Sequence, residues 1–229
     1  MPLSPRRCLL LLPVLMLVVA ASAPGASARR PARTPGPPVT VEPAGSVGPA
    51  AVAWPVSGDV VIGEVVTGGA AADDEWIELH GRGPAAASLD GLELLYVSAG
   101  GGSVSRRLAF GPTVVLPGTS LLLANAAGVH ARLADLRWVG GLAASGGVVV
   151  LRVIGGDVVD ALAWGTAANP FVEGTPGLAP PAGSALERLP EGTARNGRDT
   201  NDNRADTWIQ PVPIPDGATA VGSAVGSAV

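Results

Sequence analysis

Eight short runs rich in β-branched residues, each closed by glycine, proline, asparagine or aspartate, constrain this chain more than any other feature. They span 59–67, 75–80, 92–98, 104–110, 119–125, 148–154, 158–164 and 184–189. Strands of this length with turn residues between them predict an all-β antiparallel sandwich or barrel. Gly (32) and Pro (22) together make 54 of 229 residues, which works against long helices. Alternation supports the strand reading, because Ile77 and Leu79 fall opposite Trp76, Glu78 and His80, and Leu92, Leu94 and Tyr96 fall opposite Glu93. The run Val148, Val149, Val150, Leu151 is apolar on both faces and predicts a central strand. Gly155-Gly156-Asp157 between two runs predicts a tight hairpin with glycine at positive φ. The segment 126–136 breaks the pattern, since Val129, Leu133 and Leu136 keep helical spacing, and predicts one short helix in a sandwich crossover.

The N-terminus is expected to be an export signal occupying 1–28. Arg6 and Arg7 precede an apolar run of about 14 residues, short of the roughly 20 that a bilayer span needs. Ala-x-Ala triplets follow at 21–23 and 26–28, and cleavage after Ala28 removes Cys8, the only thiol. The localisation this implies is secreted or extracytoplasmic, with no membrane span after cleavage. Residues 29–56 are rich in Pro, Ala and Gly and read as a linker. The folded domain is assigned to 57–215 and a disordered Gly/Ser/Ala/Val tail to 216–229. An exported domain without a disulfide, in which all 15 basic residues are Arg, points to a bacterial source.

Charge and composition exclude several functions. Beyond residue 28 there are 13 Arg and 19 acids, so 13 − 19 = −6; between 57 and 216 there are 10 Arg and 18 acids, so 10 − 18 = −8. That sign opposes binding to phosphate backbones, and no nucleic-acid partner is expected. The only basic cluster, Arg29, Arg30 and Arg33, lies in the linker. His80 and His130 are the only histidines; they read as rim or surface residues, and no Gly-x-Ser-x-Gly elbow accompanies them. Two histidines without a thiol or a His-Glu-x-x-His spacing leave zinc without ligands. Glu75 and Glu78 lie on opposite faces of one strand and cannot act jointly, and Asp73, Asp74 and Glu75 read as a solvated turn. No catalytic residue is therefore assigned, and no enzyme is expected.

One constellation stands out, Asp199-x-Asn201-x-Asn203 with Asp202 and Asp206 nearby. Alternating oxygen-bearing side chains in a tight loop are what Ca²⁺ needs, because a hard cation takes six to eight oxygens. Asp199, Asn201, Asn203 and Asp206 are the candidate ligands, and Ca²⁺ is the only candidate cofactor. Arg204 stands where a calcium loop has glycine, and Gln210 where it has a bidentate glutamate. The alternative is an Asx-rich turn that caps its own backbone. A further expectation pairs Glu187 and Arg188 within the sheet, or across it with Asp160 or Arg152.

In order along the chain, Val60-Val-Ile-Gly-Glu-Val65, Glu75-Trp-Ile-Glu-Leu79, Leu89-Asp-Gly-Leu-Glu-Leu94, Val115-Leu-Pro-Gly118, 145–160, Ser184-Ala-Leu-Glu-Arg188 and 199–208 resemble the successive strands and turns of the lamin tail domain, in its bacterial exported form. Leu92 stands where that family commonly has an aromatic. The resemblance spans about 58–215 and implies an immunoglobulin-like β-sandwich and a non-catalytic accessory module. It also implies binding in general; with no catalytic residue assigned, the expected partner is another protein or a cell-surface polymer, contacted through exposed strand edges and the loop 171–182. No heptad rod precedes the domain, so filament assembly does not carry over. A calcium-dependent adhesion module using the 199–206 loop is the alternative.

Overall fold

The computed structural model describes Val52, Trp54, Pro55, 58–190 and 196–216, all within the unit Val47–Val229. The expected signal, most of the linker and most of the tail lie outside the described residues. No described helix is long and apolar enough to cross a membrane.

Among the described residues the fold is an all-β sandwich, one of the two architectures that the spacing of the runs predicts. Its strands are β1 (Val60–Thr67), β2 (Glu75–Gly81), β3 (Ala87–Ser88), β4 (Leu92–Ser98), β5 (Val104–Ala109), β6 (Val114–Val115), β7 (Ser120–Asn125), β8 (Leu136–Trp138), β9 (Gly146–Val153), β10 (Val158–Gly165), β11 (Ala185–Arg188) and β12 (Thr207–Gln210). One sheet has the order β12-β11-β1-β2-β7-β8, a second β10-β9-β4-β5, and β3 pairs with β6. All pairings are antiparallel except β7 with β8. Each of the eight runs read from the sequence became a strand; β3, β6, β8 and β12, two to four residues long, did not announce themselves.

The core lies between the sheets. Val60, Ile62, Val65, Ile77, Leu79 and Leu123 of one sheet meet Leu92, Leu94, Tyr96, Val149, Leu151, Leu162 and Trp164 of the other. Both outer faces are also covered. Leu95, Val97, Val148, Val150, Ala161 and Ala163 form a second cluster under Trp54, Phe171 and Val172. Val66, Trp76, Leu122, Ala124 and Ala185 form a third under Ala134. This layering explains why β9 is central and buried on both faces, as its sequence predicts. It also corrects one expectation: His80 is 2% exposed rather than a rim residue, because β2 sits mid-sheet, and its Nδ1 lies 3.3 Å from the Ser120 hydroxyl.

The crossover 126–136 departs from the expected helix. It holds one 3-10 turn, Val129–Arg132, in which Val129 stays 61% exposed, while Leu136 belongs to β8. A single turn cannot bury three residues at helical spacing, and the β8 pairing with β7 takes the last of them. Asp74 and Glu75 are buried rather than solvated. Asp74 accepts the amides of Ala71 and Val129, and Glu75 accepts from Leu142 N and Asn125 Nδ2, so these acids tie the crossover to the β1–β2 turn. The hairpin at 155–157 forms as expected, with Gly155 at φ 68°.

Candidate functional site

Sheet irregularities mark where the two sheets are stitched. β1 carries a bulge between Ile62 and Glu64, and β10 another between Val158 and Asp160. The first bulge turns the Ile62 amide out of its ladder, and the second aims Asp160 at it, so that Ile62 N donates to Asp160 Oδ2 over 2.5 Å. Asp160 Oδ1 accepts from Arg188 Nη2 at 2.7 Å, the strand-end arginine of β11. Around that guanidinium stand Glu173 Oε2 and Asp199 Oδ1, each at 3.4 Å, and Asp206 Oδ2 at 3.6 Å. Arg188 also donates from Nε to the Ile62 carbonyl and from Nη1 to the Arg198 carbonyl. Its exposure is 0%.

One fully buried cation faces four acids, of which Asp199 and Asp206 also reach Arg82 and Arg198, so carboxylates outnumber cations in the cluster. Burial pushes the Glu173 carboxyl up to about 8, with Asp160 adding to the rise. Burial likewise raises Asp160, against the pull of Arg188. Burial disfavours the charge on Arg188, but Asp160, Asp199, Glu173 and Asp206 more than offset it, and its proton is held more firmly than usual. At neutral pH Glu173 therefore keeps its proton, and the cluster holds together as an arginine sharing the remaining carboxylates. This arrangement binds and positions chain segments.

The candidate calcium ligands are part of this construction. Asp199 accepts from Arg188 and from the Asn201 amide. Asn201 takes φ 60° and donates to the Pro55 carbonyl. Asn203 Oδ1 accepts the Ala163 amide, and its Nδ2 donates to Ala161 O and Glu173 Oε2, each over 2.8 to 2.9 Å. Asp206 accepts the Thr200 amide and hydroxyl and faces Arg198. Asp202 caps the short helix α1 (Asn203–Asp206) by accepting from Arg204 N and Ala205 N. The oxygens of Asp199, Asn203 and Asp206 are thus directed at amides and arginines, in the manner of the Asx-turn alternative, whereas Asn201 Oδ1 is buried with no hydrogen-bond partner among the described residues. Asp160, Glu173 and Asp199 also bring carboxylate oxygens within 4.8 Å of one another, with Arg188 bonded to all three.

Calcium at about 100 times its Kd would add about 2.7 kcal/mol and raise the melting midpoint by about 5 to 10 °C. The expected result is superimposable melts in EDTA and in millimolar Ca²⁺, because a cation would have to displace Arg188 or these amide bonds. A shift of that size would assign the loop to calcium after all.

Asn203 does a second job. With Gly177, whose amide donates to Ala163 O and whose carbonyl accepts from Gly165 N, its side chain satisfies the outer edge of β10. The loop 171–182 is therefore anchored at two points, Glu173 in the arginine cluster and Gly177 on the β10 edge, while half of its residues, Leu178 among them, stay exposed. The arginine pairing was foreseen only in its Asp160 arm. Arg152 pairs instead with Glu93 at 2.7 Å, and Glu187 stands opposite Glu64. Glu173 gave no sign in the sequence; the usable signal was an acid inside the apolar run Val158–Gly165 and an arginine ending another, since buried charges need partners.

A second feature lies at the far edge of the six-stranded sheet. Leu178, Leu186, Arg204, Thr207, Trp208 and Ile209 line a cleft of about 310 Å³. Trp208 is 41% exposed and Leu178 51%, and just beyond β12 Val212 and Ile214 are exposed as well.

No family model matches the chain, and no curated protein matches it. Among solved structures it is similar to a DUF4876 family protein from Bacteroides thetaiotaomicron VPI-5482, with a TM-score of 0.51 and 13% identity, over 68% of this chain and 72% of that one. At that identity the likeness extends to the fold alone.

Proposed function

We propose that this chain is an exported, non-catalytic binding module of lamin-tail-like type, which meets a protein or a cell-surface polymer at the β12 end of its sandwich. The observation that carries this reading is the gathering of exposed apolar side chains there. Leu178 and Trp208 line a cleft at β12, and Val212 and Ile214 are exposed just beyond that strand, whereas the outer faces of β4, β9 and β10 and of β2 and β7 carry packed apolar clusters. The arginine cluster supports the same reading by a different route. It is a buried ion network bonded to three chain segments, which fits a role in fixing the chain around β10, β11 and α1.

The test is retention. Biotinylated protein is incubated with envelope fractions, secreted fractions and insoluble wall polymers of a bacterial culture, beside a variant carrying Leu178→Ser and Trp208→Ser. Both sites are exposed, so the variant should melt like the parent. The expected result is retention of one component by the parent and loss of about tenfold or more by the variant, since truncating interface aromatics costs about 2 kcal/mol or more. Equal retention by both proteins, or none by the parent, overturns the proposal.

A further inference from the structure

The four outer strands of the two sheets are treated differently. β10 is closed by Asn203 and Gly177. β5 carries Arg106 and Arg107 and β8 carries Arg137, charges of the kind that keep other strands off an edge. β12, with the sequence Thr-Trp-Ile-Gln, has no charge and no described segment beyond it.

Its backbone is directed outward in a defined way. The Leu189 amide donates to the Asp206 carbonyl, and Glu187 stands opposite Trp208. Alternation along an antiparallel ladder then turns the backbone of Trp208 and Gln210 towards β11, and leaves both backbone groups of Ile209 and the carbonyl of Thr207 on the outer side. Pro211 ends the ladder, having no N–H. Beside this row lies the cleft, with Leu178, Leu186 and Ile209 as its apolar lining and Trp208 at its rim. Arg204 closes one end; it is exposed and has no ion pair among the described residues, in a domain with eight more acids than arginines.

We infer that β12 accepts an extended peptide of a partner protein as an added strand, with one apolar side chain seated in the cleft and one carboxylate paired with Arg204. The inference rests on the binding-module reading and supplies its partner class. Main-chain bonds to Ile209 and Thr207 give the register, the cleft selects side-chain size, and Arg204 selects charge. A second copy of the chain fits less well, because the strand it would donate from this edge, Thr207–Gln210, carries no acid to meet Arg204.

The probe is a fluorescein-labelled decapeptide of alternating valine and threonine with one central leucine and one glutamate near its end, read by fluorescence anisotropy against the full chain. Three changes test the main-chain ladder and the pairing with Arg204. N-methylation of alternate amides on the pairing side should abolish binding. Replacing the peptide glutamate by lysine should weaken it about tenfold or more, the worth of a charge-assisted hydrogen bond. Arg204→Glu should reverse that preference, so that the lysine peptide binds better. N-methylated peptide that binds as well as its parent, or an unchanged charge preference in Arg204→Glu, overturns the inference. So do a concentration-dependent dimer that Trp208→Ser disperses, and wall-polymer binding lost in Trp208→Ser without any peptide binding. In those last two cases the binding module survives with a different occupant, whereas failure of the parent to retain anything in the fractionation test removes both.

Discussion

Replacing Arg188 by methionine should cost about 4 kcal/mol and lower the melting midpoint by about 8 to 16 °C, because it strands buried carboxylates without their only shared cation. Methionine keeps the unbranched apolar stem and removes the guanidinium with its charge and hydrogen bonds. The guanidinium bonds the Ile62 carbonyl on one side, the Arg198 carbonyl on another and Asp160 on a third, so it joins β1, the segment before α1, and β10 at one point. Lysine keeps the charge but offers a single ammonium, and Arg188→Lys should fall between the parent and Arg188→Met. Adding Asp160→Asn to Arg188→Met should recover part of the loss, since one unpaired charge then disappears, and the non-additivity measures the pair. Chemical denaturation of these four proteins and of Asp160→Asn alone at pH 7 decides the matter. A loss below about 1 kcal/mol in Arg188→Met would mean that the acids are neutral or solvated without it.

The strands that build this sandwich were legible because each has at least four residues of its own β pattern and a turn at each end. Those that escaped notice are held by neighbours rather than by pattern. β8 forms because Leu136 lies beside Leu123, and β12 because Leu186 lies beside Ile209. Burial was harder to read than strand position. Alternation in 75–80 signals a strand with one polar face, yet Trp76, Glu78 and His80 are all buried, because the crossover and the outer cluster cover that side. Local sequence cannot report what a distant segment lays over a face. The same limit governed the 199–206 loop: its spacing of oxygens was correctly seen, but whether they meet a cation or backbone amides depends on Arg188, Ala163 and Thr200. Trp208 registered in the sequence only as the end of the domain, and its exposure follows from its place on an outermost strand.

Glu64→Gln should make the protein more stable at neutral pH, against the usual direction for a change at a buried position. Glu64 sits in β1 directly opposite Glu187 of β11 and Glu78 of β2, three carboxyls in a row across adjacent strands. It is 3% exposed, and burial pushes its carboxyl up to about 9, with Glu187, Glu78 and Asp216 adding to the rise. The folded protein therefore holds this proton where the unfolded chain, titrating near 4.5, has released it. Its favourable contribution is complete below about pH 4.5 and is lost progressively as pH rises towards 9, so stability falls across that window. At pH 7 the loss from this one group is about 3 kcal/mol. Glutamine has the same shape and needs no proton, so the variant should match the parent near pH 4 and exceed it by about 2 to 3 kcal/mol at pH 7. Glu173, raised to about 8, contributes a slope of the same sign. The variant's curve should thus still fall until about pH 8 and then flatten, while the parent continues to fall until about 9. Urea denaturation of both proteins at pH 4.5, 7, 8 and 9 separates the two groups. A variant no more stable than the parent at pH 8 would show that Glu64 is ionised in the folded protein and held by a cation. The row of glutamates would then be a source of stability at neutral pH rather than a cost to it.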